Sequence, residues 1–171
     1  AGYGDQFYRR CAERCTGSEQ QRVGIKEWEF ERFSRTEEMM NSLEDKLREY
    51  FEWFHRNPEL SYEEYKTTNK IREILEGAGV EILPYNLETG LVAIIRGEKE
   101  GPVQALRCDI DALPVQEETN LSYASEFEGK MHACGHDFHI TAGVGCAILL
   151  TERKAHLAGT VKIIFQPAEE S

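Results

Sequence analysis

The sequence has no apolar run that approaches the roughly 20 residues needed for a membrane-spanning helix. Its beginning also lacks the charged, apolar and small-residue series that is typical of a secretory signal peptide. From these two absences we expect a cytoplasmic protein that has no membrane partner.

Clusters of basic side chains are also missing, apart from the adjacent pair Arg9 and Arg10. The 171 residues contain 20 Lys and Arg against 31 Asp and Glu, which gives a formal net charge of -11 at pH 7. Proteins that bind nucleic acids neutralise phosphate groups with a basic face. The charge of this chain therefore argues against a nucleic-acid partner.

Cysteines are few and odd in number. A small secreted protein held together by disulfides would have more of them, usually in an even number. We therefore expect reduced thiols, one of which is available as a metal ligand. Cys11 and Cys15 form a lone pair without a second pair, which is weak support for a zinc site. The five cysteines are Cys11, Cys15, Cys108, Cys134 and Cys146.

The composition, 40% hydrophobic and 30% charged residues, is typical of a folded globular protein. Residues 1–40 show no clear core face, and Met39 and Met40 precede a much stronger pattern. We therefore predict two parts: residues 1–40 as an N-terminal extension of unknown role, and residues 41–171 as the folded domain.

The apolar pattern of the second part predicts helices and strands in alternation. Apolar residues recur at helical spacing from Ser42 to Arg56, with Ser42 as the N-cap. A second helix is predicted from Tyr62 to Glu76, with Tyr65 facing inward. Short apolar runs predict strands at 80–83, 90–96, 102–110 and 160–165, and a buried helix at 140–150. This order predicts an α/β fold with a mixed, twisted sheet flanked by helices.

The segment from Met131 to His139 combines one thiol, three imidazoles and a carboxylate in nine residues. If the backbone is extended there, Cys134 and His136 project from the same side and form a pair suited to zinc, manganese, cobalt or nickel. Gly135 would let the backbone bend close to an ion. The alternative is that Cys134 is a small buried hydrophobic residue and the histidines are ordinary loop residues.

A second polar group, Glu169 and Glu170, follows a predicted strand that Pro167 interrupts. Adjacent residues at a strand end point to opposite sides, so one glutamate could bind a metal ion while its neighbour faces water held at that ion. A solvated acidic turn is the alternative.

A third group, Asp109 and Asp111, ends another predicted strand with two carboxylates on a common face. Two like charges held together require a cation or hydrogen-bond donors nearby. A strand-end turn followed by a helix cap would explain the same residues.

Together, the segments RCDIDALPVQE, GKMHACGHDFH and GTVKIIFQPAEE resemble successive motifs of a family of metal-dependent amidohydrolases. This family includes hippurate hydrolase, N-acetyl amino acid deacetylases and plant hydrolases of indole-acetic acid conjugates. The earlier segment FHRNPELSYEE is also similar to the family's first helix and turn, so the resemblance covers residues 41–171. It implies that these residues are the N-terminal half of a metallo-exopeptidase-like catalytic domain.

The resemblance also implies roles for individual residues. Cys134, His136 and Glu170 would bind one or two divalent metal ions, Glu169 would be the general base, and Asp111 would orient the site. The substrates would be N-acyl amino acids, and the full-length parent could form a homodimer through a smaller lid domain.

The family's two further histidine ligands and its lid come from sequence beyond the point that corresponds to Ser171. We therefore expect the 171-residue chain alone to be inactive or nearly so. A non-catalytic, truncated module that binds metal or a protein partner is the alternative function.

Overall fold

A computed structural model describes residues 27–171, and it describes the side chains of residues 42–171. Most of the predicted N-terminal extension lies outside the described residues, as do Cys11 and Cys15. Residue contacts divide the chain into two units, Ala1–Glu38 and Met39–Ser171, and the fold given below is that of the second unit. The roles predicted for residues 1–40 and 41–171 stay predictions.

The described part of the chain contains three helices and four strands in alternation. Their order is α1 (Glu27–Arg56), α2 (Tyr65–Gly77), β1 (Glu81–Ile82), β2 (Leu91–Arg96), β3 (Lys99–Asp109), α3 (His136–Glu152) and β4 (Ala158–Gln166).

The four strands form one mixed sheet in the order β1-β2-β4-β3. Strand β2 pairs antiparallel with both β1 and β4, whereas β3 and β4 are parallel. Parallel neighbours need a crossover connection, and α3 provides it by packing back against β2, β3 and β4. The predicted α/β class with a mixed sheet flanked by helices is confirmed.

The core lies between the sheet and the helices. In β2, Ala93, Ile94 and Ile95 are all buried, which confirms the prediction that this strand is covered on both faces. Phe54 at the end of α1 and Phe165 in β4 are the largest fully buried side chains. The side chain of Leu47 in α1 lies against Gly145 in α3, where a Cβ atom would be 3.0 Å from a methyl carbon of Leu47.

Two predicted helix starts are wrong. Helix α1 begins at Glu27, so Ser42 lies inside the helix rather than at its N-cap. Helix α2 begins at Tyr65 instead of Tyr62, because Tyr62 has a left-handed backbone (φ 68°) that is incompatible with a right-handed helix. Tyr65 was predicted to face inward but is 52% exposed, since the buried face of α2 is formed by later residues.

The remaining boundaries differ by a few residues. Helix α3 begins four residues before the predicted buried helix, at His136 instead of Ile140. Strand β3 begins three residues earlier than predicted and contains an irregularity between Lys99 and Val103. Among the described residues, no helix combines the length and the apolar character needed to cross a bilayer.

Close packing of α3 on the sheet depends on Gly143. A Cβ atom at this position would lie 2.5 Å from the Cys108 sulfur and 3.1 Å from a ring carbon of Phe165, both of which are buried. Overpacking a core generally costs about 1–3 kcal/mol. We therefore expect Gly143→Ala to lower the free energy of unfolding by up to about 2 kcal/mol, since the better helix propensity of alanine offsets about 1 kcal/mol of the packing cost.

Urea unfolding followed by circular dichroism would measure this effect. Gly77→Ala is a matched control, because a Cβ at the last residue of α2 would meet no atom within 4 Å. The control should be neutral or slightly stabilising. Equal unfolding midpoints for the two variants would contradict the packing argument.

Candidate metal centre

The three polar segments meet at one edge of the sheet. Strands β3 and β4 are parallel neighbours that pair Asp109 with Gln166, so the segments that follow them leave the sheet side by side. Helix α3 begins at the same edge with His136. In α/β sheets, sites lie at the carboxyl ends of parallel strands because loops and helix N-termini converge there.

Cys134, His136 and Glu170 form a group that could hold a metal ion. Each offers one ligand atom, and these three atoms lie within 4.8 Å of one another. Ligand atoms of a tetrahedral zinc ion are about 3.3–3.8 Å apart, from metal-ligand distances of about 2.0–2.3 Å. A thiolate, an imidazole and a carboxylate are donors that divalent transition metals accept. The donors present therefore fit a divalent ion with small side-chain adjustments.

The imidazole of His136 is oriented by Asp111. Its Nδ1 atom lies 3.0 Å from the backbone oxygen of Asp111 and 3.3 Å from the Oδ1 atom of the same residue. The backbone oxygen can only accept a hydrogen bond, so Nδ1 is the donor in this contact, and a neutral ring keeps its lone pair on Nε2. That lone pair faces Glu169 and Glu170, whose nearest oxygens lie 3.8 Å and 3.9 Å from Nε2.

Asp111 is fully buried and accepts two hydrogen bonds at its Oδ2 atom. The hydroxyl of Ser61 donates at 2.8 Å and the backbone N–H of Glu170 donates at 2.9 Å. Burial alone would raise the pKa of Asp111, but these hydrogen bonds outweigh burial and lower it. An ionised carboxylate therefore lies next to the Nδ1 atom of His136.

The Cys134 thiol is only partly accessible. Burial above all, together with the nearby carboxylates of Glu170 and Asp111, raises its pKa to about 11, against hydrogen bonds from the backbone that lower it. The thiol therefore keeps its proton at neutral pH unless a cation is bound, because metal ligation requires the thiolate.

A turn precedes helix α3, so the backbone is not extended at Cys134 and His136, the condition under which the two side chains were expected to project from the same side. Cys134 lies in the turn and Gly135 is the N-cap of α3, with a left-handed φ of 88°. A Cβ at Gly135 would meet no atom within 4 Å, so glycine is favoured there by conformation and not by space. The turn still brings Cys134 and His136 together.

Glu169 and Glu170 also lie in a turn, which begins three residues after Gln166, the last residue of β4. The expectation that they point to opposite sides of a strand end is wrong, because both carboxylates face Nε2 of His136. Arg107 approaches Glu169 at 3.9 Å and makes closer contacts with Asp109, at 3.1 Å and 3.3 Å.

A second group of possible ligands shares His136. Asp109, His136 and His139 offer atoms that lie within 4.8 Å of one another. The ring of His139 stacks on that of His136, with centroids 5.3 Å apart, and its Nδ1 atom lies 3.6 Å from Asp109. The predicted common face of Asp109 and Asp111 thus meets two histidines of α3.

Sequence reasoning missed a buried network behind the site. His55, at the end of α1, contacts Asp137 at 2.6 Å through Nδ1 and Glu117 at 3.2 Å through Nε2. Asp137 thus holds the imidazole of His55 with its Oδ2 atom, while its Oδ1 atom accepts the backbone N–H of Phe138 at 2.8 Å. His55 and Glu117 both lie in segments that carry the resemblance, but sequence reasoning gave them no individual role because 62 residues separate them.

Known proteins share both the sequence and the fold. The model of peptidase family M20/M25/M40 matches residues 105–171. An N-acetylcysteine deacetylase of Bacillus subtilis is 57% identical over 117 residues, which are 68% of this chain and 31% of that protein. An IAA-amino acid hydrolase of Arabidopsis thaliana is 47% identical over 132 residues, which are 73% of this chain and 30% of that protein.

The solved structure of a Bacillus subtilis protein, a dinuclear metal-binding peptidase of the M20 family, has the same fold. The two proteins superimpose with a TM-score of 0.75 at 52% sequence identity. The matched residues are 76% of this chain and 37% of the solved chain. The chain thus spans about a third of the length of the relatives that it matches. The relationship supports divalent metal ions as cofactors. The predicted resemblance is therefore confirmed, and sequence and fold together relate this chain to the metal-dependent hydrolases of peptidase family M20/M25/M40.

Proposed function

We propose that the full-length protein hydrolyses the amide bond of N-acyl amino acids in a metal-dependent reaction. The observation that carries this proposal is the convergence of Cys134, His136 and Glu170 within 4.8 Å, with Glu169 directly beside them. A purely structural zinc site would more often use cysteines and histidines alone, whereas catalytic sites commonly include a carboxylate.

We propose Cys134, His136 and Glu170 as ligands of one or two divalent ions, with zinc, manganese, cobalt or nickel as candidates. A bound ion would supply Lewis-acid chemistry: it polarises an amide carbonyl and makes water more acidic. Asp111 supports the ligand role of His136 by holding its Nδ1 proton, so that Nε2 remains a donor.

Glu169 is our proposed general base. Its side chain is partly exposed, and its Oε2 atom lies 3.8 Å from the Nε2 atom of His136. From this position, Glu169 accepts a proton from the attacking water as the bond from water oxygen to the acyl carbon forms. It then donates the proton to the leaving nitrogen as the carbon–nitrogen bond breaks, which gives a carboxylic acid and a free amine.

The substrate class is supported by two relatives, which are named for deacetylation of N-acetylcysteine and hydrolysis of IAA-amino acids. Both names describe a small acyl-amino acid with a scissile amide. We further propose that the protein is cytoplasmic, that it can form a homodimer, and that the 171-residue chain alone has little or no activity because it lacks the further ligands that the resemblance implies.

Purified full-length gene product should release amino acids from N-acetyl amino acids, and chelation should abolish the release. Amine release from a panel of N-acyl amino acids would be measured before chelation, after chelation, and after divalent ions are added back. Full-length protein that binds metal but hydrolyses no member of the panel would favour the non-catalytic module instead.

In the same protein, Cys134→Ala should weaken metal binding by about 10-fold or more. Titration with Co²⁺ would detect the loss of the thiolate-to-cobalt absorption band. Cys146→Ala is the control, because this thiol lies in the middle of α3, away from the metal centre, and is also partly buried. Unchanged affinity in Cys134→Ala would remove Cys134 from the proposed ligands.

A further inference from the structure

Glu169 lies in a turn, so its orientation depends on what anchors the residues beside it. The N–H groups on both sides of Glu169 are held by fully buried carboxyl groups. Ala168 donates its N–H to Oε1 of Glu64 at 2.8 Å, and Glu170 donates its N–H to Oδ2 of Asp111 at 2.9 Å. The backbone is therefore anchored by a hydrogen bond on each side of Glu169.

Glu64 is the N-cap residue of α2, yet its side chain makes no capping hydrogen bond. Glu59 caps the helix instead. Its two carboxylate oxygens accept hydrogen bonds from the first-turn N–H groups of Lys66 at 3.1 Å and Thr67 at 2.7 Å. The Glu64 side chain is thus free to leave its own helix and reach a residue 104 positions later in the chain.

Burial of Glu64 is costly for the fold. Its exposed fraction is 0%, and its second oxygen, Oε2, has no hydrogen-bond partner among the described residues. A buried polar atom without a partner destabilises the folded state. Such a group is uncommon in folded proteins and requires an explanation, which the hydrogen bond from Ala168 to the other oxygen of Glu64 can provide.

The residue that Glu64 holds is itself strained. Ala168 has a left-handed φ of 55°, a conformation that non-glycine residues adopt at a cost and that surrounding contacts must maintain. Because Ala168 directly precedes Glu169, relaxation of its backbone would rotate the Glu169 carboxylate away from Nε2 of His136.

We infer that Glu64 is a positioning residue for Glu169: it fixes the Ala168 backbone and so aims the proposed base. This inference rests on the proposed function. The roles of the two anchors differ, since Asp111 holds the proposed ligand Glu170 and Glu64 acts only on the residue before the proposed base. Loss of Glu64 should therefore affect the proton-transfer step more than metal binding.

The test compares Glu64→Leu with Glu64→Gln in the full-length protein. Leucine removes the acceptor for the Ala168 N–H, whereas the glutamine amide oxygen keeps it. We expect kcat of the leucine variant to fall by about 10-fold to 100-fold, since misplacement of a reacting group by about 1 Å has effects of this size. KM and Co²⁺ affinity should stay within about threefold, and the glutamine variant should retain most of kcat.

Amide hydrogen exchange of isotope-labelled protein provides a second measurement that does not require turnover. Exchange at Ala168 should be about tenfold faster in Glu64→Leu, from loss of one buried hydrogen bond. Exchange at Glu170 should change much less.

Unchanged exchange at Ala168 would overturn the inference. So would an equal loss of kcat and metal affinity, because it would indicate general damage to the site. If the wild-type protein hydrolyses no acyl-amino acid, the proposed function fails, and the exchange measurement alone decides whether Glu64 holds this turn.

Discussion

Replacement of Glu169 by glutamine in the full-length protein should reduce amide hydrolysis by about 10²-fold to 10⁴-fold, the usual contribution of a general base. Glutamine has nearly the same shape but cannot accept a proton at neutral pH. The Oε2 atom of Glu169 faces Nε2 of His136 at 3.8 Å, so the substitution removes the proposed proton acceptor and leaves the proposed ligands Cys134, His136 and Glu170 in place. The expected signature is a loss of kcat with unchanged metal content.

Glu170→Gln is the matched comparison, because it makes the same chemical change one residue later. Glu170 also faces Nε2 of His136, at 3.9 Å, and belongs to the group that could hold an ion. Its variant should lose metal affinity together with activity. Metal analysis by mass spectrometry and steady-state kinetics would separate the two. If Glu169→Gln instead lost metal and Glu170→Gln kept it, the two roles would have to be exchanged.

His55→Leu should lower the free energy of unfolding of the metal-free chain by about 3–5 kcal/mol near pH 6. Removal of one partner from a buried ion pair typically has this cost, because it leaves an uncompensated charge. His55 is 6% exposed and contacts two carboxylates that are almost fully buried, Asp137 and Glu117. Leucine would leave both without their cation.

The effect of His55 should depend on pH in a definite direction. Burial alone would lower the pKa of His55, but its hydrogen bonds to Asp137 and Glu117 outweigh burial and raise the pKa above the ordinary 6.5. A raised folded pKa means that the protonated ring stabilises the fold. This contribution is fully present below pH 6.5 and is lost as the pH rises through the folded pKa.

The charge of Glu117 sets the lower pH limit of the stabilisation that His55 provides. Burial alone would raise its pKa, but hydrogen bonds from Thr119, Ser125 and His55 lower it below the ordinary 4.5. Its stabilising charge is present above pH 4.5 and is lost as the pH falls through the lowered pKa. His132 lies close to this network. It is neutral between about pH 4.5 and 6.5, because burial lowers its pKa to about 4.

The difference in unfolding free energy between wild type and His55→Leu should therefore be largest between about pH 4.5 and 6.5 and should shrink on both sides. Denaturant unfolding at a series of pH values would measure it. His156→Leu is the control, because this histidine is exposed between α3 and β4 and its loss should change little at any pH. A difference independent of pH would refute the charged form of His55 as the cause.

The parts of this protein that local sequence determines were predictable. The run from Leu91 to Ile95 is apolar throughout, and its burial on both faces follows from that pattern alone. The density of donors around Cys134 and His136, and the position of Glu169 and Glu170 after a strand, indicated a metal site before any distance was known. Their proximity is observed, while their individual roles stay proposals.

The errors came from features that one residue or a distant contact controls. The helix that contains Ser42 continues to Glu27, since a serine in a helical pattern need not be its cap. The left-handed backbone of Tyr62 delays α2, and the left-handed backbone of Gly135 turns the chain into α3. Both are single-residue conformations that periodicity does not reveal, because periodicity reports only which face of an element is buried.

Local patterns in the sequence were enough to identify the residues that could perform the chemistry and the class of fold that carries them. How these residues are held depends on contacts between distant parts of the chain. The parallel pairing of β3 with β4 brings the aspartates and glutamates to one edge, while Glu64 and His55 act on residues 104 and 82 positions away. Local sequence encodes propensity over a few residues, but such distant contacts exist only once the strands have paired and the core has excluded water.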